Sequence, residues 1–403
     1  MPSRRILLVM IEPPLPFGNA AGRWYHVLYR GLVERGHHVT AFATYGKADD
    51  ADLARSLFPP GDFDLRLYPE NVRPGLRSKW NALRRPYSYL FSPALQADFD
   101  RELAKGFDVL HLEHIWSARL ALKHRAKALP HVHYLFGIDQ AEVTGGSLVD
   151  RVRRALTLRA ERRLLKTFPR ISTLTPRLSD AVSTINPSAE VTTIPLGMDA
   201  TLYPFQADPT ESERPPTVGL IGSFGWRPTH SAGVRLLTRL WPEIRRRVPQ
   251  ARLRLVGRKA RAALGDLAQG DGIDVFEDVP ETESHFRAID VMLYAPARGS
   301  GMKVKVLEAF ALGTAVVTTS EGVEGLPAID GVHCGVAEDD PGLIDRPVAL
   351  LQNVEKRRAC RVAARTLLET HCGPKSTLDA VEAVHERVAS GRLLTPSSTR
   401  PRS

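Results

Sequence analysis

Short runs of apolar residues alternate along the chain with longer segments in which apolar residues recur every three or four positions. The first run, at residues 6–11, has no polar alternation, which is typical of a strand buried in a parallel sheet. A Pro/Gly-rich loop, EPPLPFGNAAG, follows, and then a helical pattern from about Arg23 to Arg35 that ends at Gly36. With the next apolar run, HHVTAFAT, this order predicts the start of a doubly wound α/β sheet.

The same alternation continues through the first half and then starts again in the second half. The further strands predicted in the first half are 108–114, 131–137, 170–175 and 190–197. Those predicted in the second half are 217–224, 251–257, 272–277, 290–296 and 314–319. Helices are predicted at 118–128, 176–185 and 231–247. Because a single core rarely exceeds roughly 250–300 residues, two successive αβ units are expected in 403 residues.

Composition and charge exclude several classes of protein. No run of about 18 apolar residues is present, and the first apolar run is too short for a signal peptide, so a cytoplasmic protein is expected. Three scattered cysteines predict neither a disulfide framework nor a zinc site. The net charge of +10 is compatible with nucleic acid, an anionic membrane or anionic ligands, but no nucleic-acid-binding module is recognisable.

The strand-to-helix loop at 297–313, ARGSGMKVKVLEAFALG, carries the most informative chemistry. Gly299 and Gly301 would let the backbone approach a ligand closely, and a helix is predicted from about Met302. Lysines near a helix N-terminus, where acids are usually favoured, suggest an anionic ligand. The alternative is that Lys305 and Glu308, spaced i and i+3, form an ordinary surface ion pair.

The segment GSGMKVKVLEAFALGTAVVTT resembles the donor-site motif of the family-4 glycosyltransferases, which have the GT-B fold. Further similar segments follow the family's order over nearly the whole chain: the first strand, loop and helix, IPLGMD, IGSFGWRPTHSAGVRLL, LRLVGR and VEGL. The resemblance implies an α/β protein of GT-B architecture, with two Rossmann-like domains facing across a cleft. It also implies a retaining enzyme that needs no metal.

The resemblance, together with the polar and proline-containing segment at 200–216, gives the expected domain organisation. It comprises an acceptor-binding domain at 1–199, an interdomain linker at 200–216, a nucleotide-sugar-binding domain at 217–373, a C-terminal helix at 374–390 that crosses back to the first domain, and a disordered tail at 391–403.

The resemblance also implies roles for particular residues. Glu308 matches the glutamate that holds the ribose, Lys305 matches the motif lysine on the diphosphate, and Arg227 is a looser match to a second phosphate-binding residue. The other residues expected around the donor are Lys303, Gly301, Ser300, Gly299, Arg258, Val279 and Gly18, with Gly22 beside Gly18. For the two glycines, an ordinary turn is an equal alternative.

Two positions depart from the family pattern. Ser300 stands where many members carry a first glutamate that contacts the donor sugar. Phe136 and Gly137 stand where many members have a histidine, and His133 and Asp139 are nearby candidates for its role. Asp139 is kept as a catalytic candidate with Lys305 and Arg227, whereas His133 and His131 are interpreted as strand residues that face the sheet. His111 and His114 are weaker candidates.

The expected activity is transfer of a hexose-type sugar from a nucleotide diphosphate sugar, UDP or GDP, to a hydroxyl acceptor, without a cofactor or metal. The acceptor stays open among cell-surface glycans, glycolipids and natural products. The basic and aromatic stretch 73–91 suggests contact with an anionic membrane at the inner face, against the alternative of a solvated loop. A nucleotide-sugar epimerase and a catalytically degenerate sugar-binding protein are the remaining alternatives. A nicotinamide-dependent enzyme is disfavoured because neither glycine loop fits G-x-G-x-x-G.

Overall fold

The computed structural model describes residues 2–71, 85–141, 145–206 and 214–391. The described residues divide into two compact units. The first comprises the residues up to Gly197 together with those from Pro374 onward, and the second comprises Met198–Gly373. The described part of the predicted linker at 200–216 therefore groups with the second unit.

The first unit is built on a parallel sheet in the order β3-β2-β1-β4-β5-β6-β7. Its strands are β1 Arg5–Met10, β2 His38–Tyr45, β3 Asp64–Pro69, β4 Val109–Glu113, β5 Ala128–Val132, β6 Arg170–Thr173 and β7 Glu190–Thr193. The strands β1, β4 and β5 are buried almost throughout, as expected when helices cover both faces of a parallel sheet.

The part of the first unit that precedes Met198 contains the helices α1 Ala20–Glu34, α2 Ala48–Leu57, α3 Pro93–Ala104, α4 Phe136–Asp139, α5 Leu148–Leu165 and α6 Pro176–Ile185. Short 3-10 turns occupy Ser88–Leu90, Ser117–Ala121 and Arg125–Lys127. Side-chain caps fix several starts: Ser147 and Asp150 form a reciprocal capping box on α5, and Thr175 caps α6, which has proline at its first position.

The second unit contains a smaller parallel sheet in the order β10-β9-β8-β11-β12-β13. Its strands are β8 Thr217–Ile221, β9 Arg252–Val256, β10 Ile273–Phe276, β11 Val291–Tyr294, β12 Ala315–Thr318 and β13 Gly335–Val336. Successive strands are added on one side of β8 up to β10 and on its other side from β11 onward, so the strand order reverses between β8 and β11. In sheets of this type, ligands bind beyond the carboxyl ends of the strands at that reversal.

The helices of the second unit are α7 Arg227–Arg235, α8 Trp241–Arg247, α9 Ala260–Leu264, α10 Glu283–Arg287, α11 Val304–Leu312, α12 Asp340–Gln352 and α13 Val354–His371. 3-10 turns lie at Ala200–Leu202 and Gly265–Ala268. The single helix predicted at 231–247 starts earlier and contains a π-helical turn at Leu236–Leu240. Pro242 follows that turn and has no N–H to continue the α-helical ladder.

The last described helix, α14 Pro374–Ala389, belongs to the first unit. It packs on α1, where Leu378 fills the space beside Gly31, and any Cβ at Gly31 would overlap the Leu378 side chain. Val381 and Val384 are also buried. Further contact comes from His385, whose Nε2 lies 2.8 Å from Nδ1 of His111 on β4.

Several predicted boundaries are wrong for local reasons. The strand predicted at 131–137 is β5, which ends at Val132, because the chain turns after His133 and enters α4. The helix predicted at 118–128 consists of two 3-10 turns. β3 and β13 were not predicted, since β3 is half-exposed and β13 has only two residues.

Two sequence predictions fall largely outside the described residues. Of the basic stretch 73–91, residues 73–84 lie outside them, and the described end buries Leu90 and Phe91 and stacks Tyr87 on Trp116 at 4.8 Å between ring centroids. The tail lies outside them from residue 392 onward. Among the helices in the described ranges, none is both long enough and apolar enough to cross a membrane.

Candidate active site

Two glycine turns lie close together at the carboxyl ends of β8 and β9. Gly222 has φ +151° and Gly257 has φ +136°, which are backbone conformations that favour glycine. A Cβ on Gly257 would overlap the carbonyl group of Gly222, so the close approach of these two strand ends requires glycine at position 257. A Cβ on Gly222 would lie 2.5 Å from Nζ of Lys305. Glycine at position 222 therefore leaves room for the head of this lysine.

Lys305 lies in the first turn of α11, and its ammonium group has two partners. Nζ donates a hydrogen bond to Oγ1 of Thr229 and lies 4.4 Å from the centre of the Tyr294 ring. Burial lowers the pKa of Lys305 to about 7, with Glu308 opposing this and Lys303 adding to it. The interpretation of Lys305 and Glu308 as a plain surface ion pair does not describe this environment.

The hydrogen bond between Lys305 and Thr229 brings the first turns of two helices together. Thr229 lies in the first turn of α7, which follows β8, and Lys305 lies in the first turn of α11, which follows β11. Helix N-termini present unpaired N–H groups and a positive dipole end, both of which favour anions. Arg227 is the first residue of α7 and is exposed. The arrangement is chemically suited to holding a diphosphate.

The loop before α11 is held by its own side chains. The helix begins at Val304, later than the predicted Met302, and Lys303 is its N-cap residue. Lys303 is buried and its Nζ donates to the carbonyl oxygen of Gly301 at 2.7 Å. The N–H of Gly299 donates to Oε2 of Glu321 at 3.1 Å. Lys303 and Glu321 thereby fix the shape of the glycine loop around the half-buried Ser300.

The remaining candidates of the second unit lie on the same edge of its sheet. Glu308 is half-buried and follows Lys305 by three residues, so the two side chains share one face of α11. Arg258 follows β9, and its carbonyl accepts from the N–H of Phe224 at 2.9 Å while its side chain is exposed. Val279 follows β10 and is half-buried.

Gly18 and Asp139 belong to the first unit, whereas the other predicted site residues belong to the second. Gly18 has φ +94° and open space where a Cβ would lie. Its loop is closed by Glu12, whose Oε1 accepts from the N–H of Gly22 at 2.6 Å and whose Oε2 accepts from Asn19 at 2.9 Å. Burial raises the pKa of Glu12.

Asp139 ends the short helix α4 and is half-buried. The N-terminus of α4 is capped by Glu161 of α5, which accepts from the N–H groups of Phe136 at 2.6 Å and Gly137 at 3.1 Å. Burial raises the pKa of Glu161 to about 7, against the effect of these two hydrogen bonds. The carboxyl group of Glu161 thus binds the backbone of Phe136 and Gly137, the two residues for which the family resemblance led us to expect a histidine.

A buried polar cluster surrounds Glu113 at the end of β4. Its Oε1 accepts from the indole N–H of Trp24 at 2.9 Å and lies 3.0 Å from Nε2 of His111. Its Oε2 pairs with Nε2 of His133, which lies just beyond β5 and not within it as predicted. Burial acts to raise the pKa of Glu113, but the histidines outweigh it, chiefly His131 and His133, and hold this pKa well below its usual range.

The same cluster could hold a metal ion. The nearest ligand atoms of Glu113, His131 and His133 lie within 4.8 Å of one another. Nδ1 of His131 lies 2.8 Å from Oγ of Ser172, and its buried Nε2 has no hydrogen-bond partner. Imidazole and carboxylate groups are ligands that zinc accepts. Sequence reasoning did not find this set because Glu113, at the end of β4, is about 20 residues from the two histidines, which lie in β5 and just after it.

Three residues of the second unit were not predicted from the sequence. Thr229 and Tyr294 contact Lys305, and Glu321 binds the glycine loop. A signal existed for each, since Tyr294 ends β11, Glu321 follows β12, and Thr229 lies in the first turn of the helix after β8, which is the side of such sheets where ligand sites form. Their contacts with Lys305 and with Gly299 could not be derived without the structure.

Two family models each match one part of the chain. Residues 21–202 match the family described as Glycosyltransferase Family 4, and residues 215–353 match the family described as Glycosyl transferases group 1. A search of curated proteins returned no match to the chain.

Several solved structures have a fold similar to that of this chain. Sucrose-phosphate synthase from Thermosynechococcus elongatus aligns with a TM-score of 0.72 at 16% identity, over 96% of this chain and 100% of that one. Anabaena Alr3699/HepE in complex with UDP-glucose aligns with a TM-score of 0.66 at 12% identity, over 95% and 100%. WaaG, a glycosyltransferase involved in lipopolysaccharide biosynthesis, aligns with a TM-score of 0.62 at 17% identity, over 93% and 98%. These TM-scores and coverages show that the chain shares the GT-B fold of these structures.

Proposed function

Because the chain consists of two glycosyltransferase-family domains with the GT-B fold, we propose that it transfers a hexose-type sugar from a nucleotide diphosphate sugar to a hydroxyl acceptor. One observation carries the proposal: the ammonium of Lys305 lies between Thr229 and Tyr294 where the first turns of α7 and α11 meet. A cation and two helix N-termini at the carboxyl edge of a parallel sheet form a site for a diphosphate.

The first candidate for the sugar donor is a UDP-sugar, and the second candidate is a GDP-sugar. Support for UDP comes from the similar Anabaena structure, whose title names UDP-glucose. In this chain Glu308 accepts hydrogen bonds from the ribose hydroxyls. The base lies between the segments that contain Arg258 and Val279, and the diphosphate lies against Lys305 and Arg227.

The reaction breaks the bond between the anomeric carbon and the phosphate oxygen and forms a bond from that carbon to the acceptor oxygen, with retention. The acceptor proton passes to the departing phosphate, so no separate base is needed. Negative charge develops on the nucleotide diphosphate, and Lys305, Arg227 and the helix N-termini stabilise it. One preorganised hydrogen-bond donor of this kind contributes roughly 3–4 kcal/mol to stabilisation of the transition state. No metal is required for this step.

Donor binding is tested by measuring thermal stability with UDP-, GDP- and ADP-sugars. A donor present at about 100 times its dissociation constant should add roughly 2.7 kcal/mol of stability, and EDTA should leave the shift unchanged. Lys305→Ala and Glu308→Ala should each abolish most of the shift. The matched controls are Lys356→Ala and Glu355→Ala, exposed positions on α13 that should respond like the wild type.

Two results would contradict the proposal. A complete lack of response to every donor would remove the enzyme assignment, and a full shift in both Lys305→Ala and Glu308→Ala would remove the proposed site. A product assay separates the related activities, because an epimerase converts the donor sugar without an acceptor, whereas a transferase releases the nucleotide diphosphate in proportion to glycosylated acceptor.

A further inference from the structure

The outward face of α5 exposes four large apolar side chains. The exposed fractions are 69% for Leu148, 59% for Val149, 47% for Val152 and 37% for Leu156. At about 100° per residue, these four positions fall within an arc of about 100° around the helix. Single exposed apolar residues are common on proteins, but a contiguous group on one face indicates a surface that binds something.

The helix is firmly attached to the first unit by its opposite face. Thr157, Glu161, Leu164 and Leu165 are buried there, and Glu161 also caps α4. The capping box of Ser147 and Asp150 fixes the N-terminal end. The four apolar side chains are therefore exposed on a helix whose opposite face is packed against the first unit and whose N-terminus is capped.

Positive charge surrounds this apolar group. The helix contains six arginines, and Lys166 follows it, whereas its acids are Asp150 and the buried Glu161. Arg159, Arg163 and Lys166 are exposed and continue the same outward face in the last two turns. The face thus begins apolar and ends basic along a helix about 27 Å long.

We propose that the outward face of α5 binds the surface of an anionic lipid bilayer. Apolar side chains on one stripe, inserted at the level of the headgroups, with arginines beside them on lipid phosphates, are the composition of an interfacial helix. Arginine suits this role because its guanidinium forms paired hydrogen bonds to phosphate. The charge complementarity favours an anionic bilayer over an apolar protein partner. The helix α5 lies outside the stretch 73–91 in the sequence, and the proposal does not depend on the transferase chemistry.

The test is co-sedimentation of the full-length protein with vesicles of phosphatidylcholine alone, or of phosphatidylcholine with about one third phosphatidylglycerol. We expect binding to the anionic vesicles only, weakened by added salt. Val149→Ser with Val152→Ser should reduce partitioning about tenfold or more, because apolar area is lost from the inserted surface. Arg159→Glu with Arg163→Glu should reduce it at least about 25-fold, at about fivefold for each attraction lost.

Two control variants match these changes elsewhere on the protein. Val354→Ser with Val362→Ser alters two exposed valines of α13, whose exposed fractions are 45% and 43%. Lys123→Glu with Arg125→Glu gives the same change in net charge at exposed positions of the first unit. Both controls should bind anionic vesicles like the wild type, and melting temperatures should confirm that all variants fold.

Several outcomes would overturn the proposal. The first is that the wild type does not bind anionic vesicles, and the second is that the control variants lose as much vesicle binding as the test variants. The third is that the wild type is a dimer in sedimentation velocity and that Val149→Ser with Val152→Ser dissociates it, because a second copy would then cover the face. Stabilisation by the donor is measured in parallel. Donor binding without vesicle binding refutes only the membrane surface, whereas vesicle binding without donor binding supports that surface and counts against the transferase.

Discussion

Replacing Lys305 by methionine tests the proposed anion site most directly. Methionine keeps an unbranched chain but removes the ammonium held by Thr229 and Tyr294. The pKa of Lys305 is lowered from 10.5 to about 7, so between these values the unfolded chain binds more protons than the native state. Wild-type stability should therefore gain a contribution as pH rises through this window, and Lys305→Met should lack it.

The lowered pKa sets the size of the effect on donor binding. With a pKa near 7, about nine tenths of Lys305 is protonated at pH 6 and about one tenth at pH 8. If the protonated form binds the diphosphate, the apparent dissociation constant rises as that fraction falls, by about tenfold over this range. Removing one charge-assisted hydrogen bond should weaken binding by about 10- to 100-fold at pH 6.

Titration calorimetry with UDP-glucose measures this dependence cleanly. Both phosphates of a nucleotide sugar are esterified, so the charge of the ligand is constant across the range. Buffers with different ionisation enthalpies report the proton taken up on binding, which should approach about 0.9 per site at pH 8 for the wild type. The matched control is Lys356→Met, at an exposed position of α13, which should keep the wild-type slope.

Two results would refute the reasoning. If the wild type bound the donor equally well at both pH values, Lys305 would not be the group whose protonation controls binding. If Lys305→Met kept the wild-type pH slope, another group would be responsible for it.

Two further predictions concern the stability of each unit and are checked by urea unfolding. Gly257→Ala should lower the free energy of unfolding by at least about 2 kcal/mol more than Gly61→Ala does. Both glycines have positive φ, but only at Gly257 would the new Cβ overlap the carbonyl of Gly222. Equal losses of stability would contradict the close approach of these strands. Leu378→Ala should cost about 2–5 kcal/mol, since this side chain is 4% exposed. Leu53→Ala, at a side chain that is 50% exposed, should cost far less, and a similar loss in both variants would argue against the packing of α14.

The sequence predicted the α/β alternation well because buried parallel strands leave a strong signal. Continuous apolar runs mark β1, β8 and β11, and the glycines and lysines before α11 drew attention to Lys305. Its partners could not be predicted, because Thr229 on α7 and Tyr294 at the end of β11 belong to separate elements that only the folded sheet brings together.

Residues in the first unit were harder to interpret for a different reason. His133 could be read as a strand residue because the apolar pattern continues past Val132, and the pattern carries no sign that the chain turns there. The pairing of His133 with Glu113 depends on the alignment of β4 with β5, which no local feature of either segment specifies. Likewise, nothing local links Glu161 to the backbone of α4.

The membership of α14 in the first unit has a consequence for how the protein is made. Residues 198–373 leave the ribosome before this helix, which at typical synthesis rates is a delay of roughly 10–35 seconds. Until then the space that Leu378 fills beside Gly31 is open to water, and His111 lacks its partner His385. The nascent first unit therefore has an incomplete core until Pro374–Ala389 has been synthesised, and a polypeptide that stops before Pro374 would expose that incomplete core to chaperones and proteases.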